Sequence, residues 1–132
     1  MAERTFTPDE ANAALAEVRP LVERMVAAKG ELDLAEERRD EASRHISGNG
    51  GGIQPRELAS LHEEVEQAIL ELGKAIDAIQ EVGVVVKDVD SGLVDFPSVR
   101  DGEPVLLCWR LGEDEVAFWH RLEDGFAGRQ PL

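Results

Sequence analysis

A helix start followed by a long apolar stripe occurs in residues 7–46, TPDEANAALAEVRPLVERMVAAKGELDLAEERRDEASRHI. Thr7 and Glu10 match a capping box, in which each side chain accepts a hydrogen bond from the backbone N–H of the other residue. Pro8 stands at the first helical position, where its missing N–H removes no helical bond. The apolar spacing that follows predicts one amphipathic helix over residues 8–46. Pro20 leaves the phase of the stripe unchanged, so we expect a bent but continuous helix.

A second helix of the same type is predicted over residues 55–82. Its apolar positions are Leu58, Leu61, Val65, Ala68, Ile69, Leu72, Ala75, Ile76 and Ile79. This heptad-like spacing is typical of two helices packed at a shallow angle, as in a coiled coil. The glycine-rich segment 47–54 between them predicts a loop. The first helix is longer than the second, so we expect the C-terminal half to cover its first turns at Ala11, Leu15 and Val18.

The apolar period changes from helical to β after Gly83. Short apolar runs at 84–86, 93–97, 105–109 and 115–120 are separated by turn signals such as Asp101-Gly102. Residues 84–122 therefore predict a small antiparallel β unit, and the glycine-rich tail, 123–132, predicts no regular element. The fold class is α+β: a long antiparallel helical hairpin closed by a small C-terminal antiparallel β unit, in a single domain, 1–132.

Charge and composition exclude several classes of function. The chain has 132 residues and is 42% hydrophobic and 32% charged, which is typical of a globular protein. Its net charge of −14 repels nucleic acid and anionic lipid, and favours divalent cations and basic protein partners. No apolar run approaches the roughly 18 residues of a membrane span. One cysteine and no secretory signal predict a cytoplasmic location.

Each helix has a third row of apolar residues beside the two rows that form the seam, the contact between the two helices. This third row predicts self-association. The rows are Ala14, Leu21, Ala28, Ala35 and Ala42 in the first helix, and Leu61, Ala68, Ala75 and Val82 in the second. Two helices alone cannot bury so wide a stripe, and a second copy would cover it in a four-helix bundle. We therefore expect a homodimer through the helical hairpin. The alternative is that alanine only raises helix propensity on an exposed surface.

His120 is the strongest candidate for a metal ligand. It follows the aromatic pair Phe118-Trp119, and imidazole with carboxylates is a common ligand set for zinc and similar divalent metals. Residues that could converge on such a site come from the β unit and from the helices. The predicted metal site consists of His120, Glu123, Asp95, Glu17 and Glu81. The alternative is a histidine that is hydrogen-bonded within a small core.

The remaining reactive side chains give weaker signals. Cys108 shares a sheet face with His120 only if the loop around Gly112-Glu113 has three residues; a two- or four-residue loop separates them. His45 is expected on a solvated helix face, and His62 in the helical seam as a packing residue. None of the serines occupies the strained turn of a hydrolase nucleophile, so no catalytic residues are predicted.

Several segments of the chain are similar to one known family. They are GVVVKD (83–88), GLVDFP (92–97), LCW (107–109), WH (119–120), GFAGR (125–129) and the opening Phe6-Thr7-x-x-Glu10-Ala11-Asn12. The chain resembles the bacterial domain of unknown function 2203 family over nearly its whole length, most specifically in the C-terminal half. The resemblance implies a shared fold and a capacity to bind metal, and it implies no assigned activity.

The sequence thus leads to two functional hypotheses. The first is a cytoplasmic interaction module that binds a divalent metal near His120. The second is a small, hydrolase-like metalloenzyme that uses His120 with nearby carboxylates. A pocket lined by convergent acids would favour the enzyme, and a closed, dry environment would favour the module.

Overall fold

The two helices form the hairpin that the sequence predicts. The computed structural model describes residues 4–49 and 54–132. Helix α1 spans Pro8–Asn49 and helix α2 spans Pro55–Val82. The bounds of α2 are those predicted, whereas α1 continues past the predicted end at residue 46, and part of the predicted loop, 47–54, lies outside the described residues. Neither described helix is long and apolar enough to cross a membrane.

The start of α1 is capped as predicted. Thr7 N–H donates to Glu10 Oε1 at 2.9 Å, and Glu10 N–H donates to Thr7 Oγ1 at 3.1 Å. The helix then runs through Pro20 without ending, which confirms the prediction of a continuous helix. Just before the cap, the Phe6 ring meets the Phe96 ring edge-on with centroids 5.2 Å apart, so the start of α1 is fastened to the sheet.

The seam of α2 is narrower than the sequence suggested. Val65, Ala75, Ile79 and Val82 are buried, in step with a repeat of alternating four and three residues. His62 is exposed, and Ile69 is 52% exposed. The prediction of seam positions for these two residues was therefore wrong, because both lie one residue past the repeat, in a flanking row.

Five antiparallel strands follow the helices and lie in the sheet in chain order. They are β1 (Val85–Asp88), β2 (Leu93–Arg100), β3 (Glu103–Arg110), β4 (Phe118–Arg121) and β5 (Gln130–Pro131). The predicted turn at Asp101-Gly102 joins β2 to β3, and both residues have positive φ, of 52° and 80°. Two successive positive φ values are typical of the tight turn that matches the twist of a hairpin.

One face of the sheet, here called the inner face, packs against the helices. Its buried apolar side chains are Val94, Phe96, Val105, Leu107, Trp109 and Trp119. Ala11, Leu15 and Val18 of α1 belong to the same cluster. The expectation that the C-terminal half covers the first turns of α1 is therefore confirmed.

The segment before β4 pairs with a helix side chain instead of a strand. Val116 N–H donates to Asn12 Oδ1 at 2.7 Å, and Asn12 Nδ2 donates to Val116 O at 3.1 Å. The sequence predicts that this segment belongs to a strand that begins at Glu115. The side-chain amide of Asn12, however, forms the hydrogen bonds of the Val116 backbone that a neighbouring strand would otherwise form. As a result β4 begins only at Phe118.

The C-terminal tail is more regular than predicted. Phe126–Gly128 forms a 3₁₀ turn, and β5 then pairs with β4 through Trp119 and Gln130. The prediction of no regular element after residue 122 was therefore wrong. Gly125 and Gly128, which argued against a strand, precede and end this turn. Pro131 is tolerated because β5 is an edge strand.

Candidate metal site

Strand register brings three potential ligands to the face of the sheet that points away from the helices, here called the outer face. Asp95 of β2 pairs directly with Cys108 of β3, and Leu106 of β3 pairs with His120 of β4. Side chains alternate between the two faces along each strand. Since Asp95 is flanked by the inner-face residues Val94 and Phe96, it points outward together with Cys108 and His120.

The position of Cys108, left open by the sequence, is settled by the pairing of Cys108 with Phe118. Phe118 and His120 are two residues apart on β4, so Cys108 lies on the same face as His120. The connection between β3 and β4 is longer than a tight turn, because residues 115–117 follow α1 through Asn12 and form no strand. The strand register is nevertheless the one that a loop with an odd number of residues would give. It places the Cys108 thiol and the His120 imidazole on the same face of the sheet.

The His120 ring is held by hydrogen bonds at both nitrogens. Nδ1 lies 2.9 Å from the carbonyl oxygen of Arg121, and since a carbonyl only accepts, Nδ1 carries a hydrogen and donates it. Nε2 lies 3.0 Å from Oδ2 of Asp95. A neutral ring with its hydrogen on Nδ1 has a lone pair at Nε2, so without a metal the hydrogen bond to Asp95 Oδ2 needs one proton shared between the two groups. Metal-bound imidazoles use such a lone pair, with the second nitrogen donating to a carbonyl or carboxylate.

All three side chains are withdrawn from solvent. Asp95 is 1% exposed, Cys108 1% and His120 3%. One ligand atom from each lies within 4.8 Å of the other two. Oδ1 of Asp95 is buried and meets no hydrogen-bond donor among the described residues. Buried carboxylate oxygens are normally hydrogen-bonded or bound to a cation, so this atom needs a partner.

The protonation of the site follows from its burial. Burial is the largest influence on Asp95 and raises its pKa above the usual value, although the adjacent His120 offsets part of this effect. Burial, followed by the charge of Asp95, raises the pKa of the Cys108 thiol to about 11. Without a metal the thiol therefore stays protonated at neutral pH. A metal ion would displace this proton, because the thiolate is the binding form.

The C-terminal tail covers the site and is fastened by one arginine. The guanidinium carbon of Arg129 lies 4.0 Å from the ring centroid of Phe118 and 4.1 Å from that of Phe126. Its Nη2 is 2.8 Å from Glu113 Oε2, and its Nη1 donates to Glu113 Oε1 at 3.1 Å. Arg129, Glu113, Phe118 and Phe126, called the tail clamp below, hold the tail over the outer face.

A cavity of about 120 Å³ lies beneath the tail. It is lined by Lys87, Leu93, Asp95, Cys108, His120, Asp124, Gly125 and Phe126. The three potential ligands thus face a partly enclosed space beneath the tail. Such a space can hold an ion with a small additional ligand.

Comparison with known proteins identifies the family. Residues 4–132 match the model of the DUF2203 family, which is described as an uncharacterized conserved protein. The chain belongs to the DUF2203 family. No curated protein and no solved structure gives a significant match. For this member of the family, the buried Asp95, Cys108 and His120 form a group that could hold a metal.

The residues predicted for the metal site divide into two sets. Asp95 and His120 are in contact, whereas Glu123 is exposed in the turn after β4. Glu17 and Glu81 line a separate hollow between the helices, beside Arg4. Both helices pack on the inner face of the sheet, so acids from the helices cannot reach the outer face where His120 points.

Cys108 is the potential ligand that the predicted set omitted. Asp95 and Cys108 stand equally far from the two-residue turn Asp101-Gly102, on either side of it. A two-residue turn pairs such positions directly, so the predicted turn at Asp101-Gly102 already implied that Asp95 pairs with Cys108. His45 and His62, the other histidines, are both exposed on the helices.

Proposed function

We propose that this protein binds one divalent transition metal, zinc or a similar ion, through Asp95 Oδ1, Cys108 Sγ and His120 Nε2. Thiolate, imidazole and carboxylate are the three ligand types that zinc uses in proteins. The negative charges of the carboxylate and thiolate would balance the charge of the ion. The carbonyl of Arg121 would orient the imidazole from the other side.

The unpartnered Oδ1 of Asp95 is the observation that carries the proposal. A structural explanation without metal is a buried hydrogen bond between Asp95 and His120. That explanation leaves Oδ1 without a donor, at a cost of about 1–3 kcal/mol for a buried polar atom. It gives the Cys108 thiol only the role of a weak hydrogen-bond donor to Asp95. A metal ion satisfies all three side chains at once.

The proposed role of the metal is to complete a binding module that consists of the sheet and its tail. A cytoplasmic location is part of this proposal, since a free thiol ligand requires a reducing compartment. A small hydrolase-like metalloenzyme is the second candidate. The cavity of about 120 Å³ favours it, because catalytic zinc sites combine three protein ligands with an open position.

Elemental analysis of protein purified without a polyhistidine tag tests the metal site. We expect about one zinc or similar ion per chain after dialysis against trace zinc. Cys108→Ser and Asp95→Asn should each lower the stoichiometry or weaken the affinity by more than the roughly 10- to 100-fold typical of losing an outer-shell partner, since each replaces a direct ligand. Circular dichroism of each variant shows whether the fold is retained.

His62→Ala is the matched control, because this histidine is exposed on α2 and should leave metal content unchanged. Metal should also raise the thermal stability of the wild-type protein, by about 2.7 kcal/mol at a hundredfold excess over Kd. A folded wild-type protein that takes up no metal would refute the proposal. So would metal content that is unaffected by Cys108→Ser and Asp95→Asn.

We further propose that two copies associate through the part of the hairpin distant from the sheet. Ala35 and Ala42 of the predicted rows are buried within the hairpin itself. Larger apolar side chains stay exposed on this part: Leu34 by 51%, Ile69 by 52% and Leu70 by 56%. Exposed apolar groups of this size are a common feature of association surfaces. Another protein partner is the competing occupant.

Sedimentation equilibrium at micromolar concentration tests this association. We expect a species of twice the chain mass of 14.5 kDa. Added salt should strengthen it, since each copy carries a charge of −14. Ile69→Ser should weaken it without unfolding the chain, and Val99→Ser, on a 58% exposed residue of the sheet, is the control. A monomer under all these conditions would refute self-association and leave the surface to another partner.

A further inference from the structure

The space beside the three potential ligands is larger than an ion requires. A water molecule occupies about 30 Å³ in the liquid. The cavity of about 120 Å³ therefore has room for the metal and roughly three or four further non-hydrogen atoms. Asp95, Cys108 and His120 supply three ligands, so a tetrahedral ion retains one position that can face this space.

A lysine lines the same cavity and reaches it through an irregularity of the edge strand. On β1, Val86 pairs with Val94 and Asp88 with Leu93, so Lys87 is the extra residue of a β-bulge. Val85 pairs directly with Asp95, and Lys87 follows it on the outer face. Bulges at sheet edges commonly redirect a side chain next to a site. Here the bulge places the Lys87 side chain at the cavity wall.

The charge of the Lys87 ammonium acts on the nearby Asp95 and partly offsets the rise in pKa that burial causes there, but the two groups do not form a close ion pair. Lys29 pairs with Asp33 and Asp90, and Lys74 pairs with Glu71. Lys87 forms no ion pair with any described residue. Several arginines among the described residues also form no ion pair, but Lys87 is the basic residue that lines the cavity beside the three potential ligands. An anion is the natural partner for such a group.

Charge balance points to the same kind of ligand. A divalent ion bound by one carboxylate, one thiolate and a neutral imidazole carries no net charge. A monoanion in the fourth position would add one negative charge, and the Lys87 ammonium would balance it as long as the Asp124 carboxylate faces away from the metal. A second acid, Asp124, also lines the cavity. Its carboxyl carbon lies 3.3 Å from the position that a Cβ atom would occupy at Gly128, so the carboxyl group lies against the tail.

We propose that the fourth coordination position takes a small monoanion of the carboxylate type, held between the metal and the Lys87 ammonium. This inference rests on the proposed metal site and names the ligand class that the site accepts. The size of the cavity admits a formate, an acetate or a bicarbonate, and excludes a nucleotide or a peptide side chain with its backbone. Asp124 stays on the tail side and closes the cavity without binding the metal.

Cobalt-substituted protein provides the test, because the visible spectrum of Co²⁺ reports changes in its coordination. Cobalt stoichiometry is measured first, and azide and acetate are then added separately as probes. We expect a saturable spectral change with each anion in the wild-type protein. Lys87→Gln should raise the dissociation constant for the anion about tenfold, which corresponds to the loss of one close charge pair. Lys87→Arg should retain most of the affinity.

Lys74→Gln is the matched control, since Lys74 lies on the exposed surface of α2 and should leave anion affinity unchanged. Asp124→Asn should leave cobalt affinity unchanged. If no cobalt binds, the proposed metal site and this inference both fail. If cobalt binds stoichiometrically but neither anion alters the spectrum, the inference alone fails. Equal anion affinity in wild type and Lys87→Gln, or loss of cobalt in Asp124→Asn, also overturns it.

Discussion

The inner face of the sheet buries almost only apolar side chains, whereas the outer face buries an aspartate, a cysteine and a histidine under the C-terminal tail. On the inner face Ser98 is the one buried polar residue, among Val94, Phe96, Leu107 and other apolar groups. Both sets of side chains are buried, but they are covered differently. Two long helices cover the inner face, and a short tail held by the tail clamp covers the outer one.

This difference separates what stabilises the fold from what serves a function. Burial of an apolar side chain is favourable by itself and contributes about 1.5–3 kcal/mol for a large residue. Burial of a carboxylate is unfavourable unless the carboxylate finds a partner. The sheet could have closed its outer face with apolar residues, as it did on the inner face. The proposed metal site accounts for the burial of Asp95 and His120 there.

Phe96→Ala should produce the largest loss of stability. Phe96 is fully buried on the inner face and holds the Phe6 ring edge-on. Removing a buried phenyl ring leaves a cavity and typically costs about 3–5 kcal/mol. Urea denaturation of the metal-free protein measures this change. Phe96→Leu is the matched control and should lose much less, because it refills most of the space.

Cys108→Ala in the metal-free protein tests the other side of the comparison. The thiol is buried, but the change removes a single sulfur atom from a site that already contains a cavity. We expect a loss of about 1 kcal/mol, as for one small apolar group. A loss as large as that of Phe96→Ala would mean that the outer face is also a packed core, and the distinction between the faces would not hold.

The helices and the inner face were predictable from the sequence because local signals and burial agree there. The capping pair Thr7 and Glu10 specifies the start of α1, and the apolar spacing specifies which side of each helix is buried. The errors at His62 and Ile69 occurred because the apolar surface of α2 is wider than its contact with α1. The sequence does not show which apolar positions make this contact, since the apolar positions rotate gradually around each helix and the packing of the two helices selects among them.

The candidate site was only partly predictable, since it depends on which side of the sheet the helices occupy. His120 and Asp95 were identified as residue types suited to metal. Glu17 and Glu81 were included because the sequence did not specify whether the helices cover the face that bears His120. The role of the tail was missed for a similar reason. Arg129 stabilises it through Glu113, and that contact spans a loop whose path depends on Asn12.

The pH dependence of the tail clamp offers a finer test of how the outer face is covered. Burial by itself would raise the pKa of Glu113, but Arg129 and the backbone N–H of Arg110 outweigh it and hold the pKa below its usual value of 4.5. A carboxylate with a lowered pKa stabilises the folded state above its unfolded pKa, and this contribution is lost as the pH falls through the folded pKa. The clamp should therefore weaken only in acid, below about pH 4.5.

Glu113→Gln should produce the smallest of these effects, a loss of roughly 0.5 kcal/mol near neutral pH, as expected for a partly exposed ion pair. The difference in unfolding free energy between wild type and variant should shrink as the pH falls below 4.5, because the wild-type carboxylate is then protonated too. The variant should also expose Cys108, so its thiol should react faster with a disulfide reagent. Glu115→Gln, at an exposed acid outside the clamp, should change neither quantity. A stability difference that is the same at all pH values would show that Glu113 acts by its shape and not by its charge.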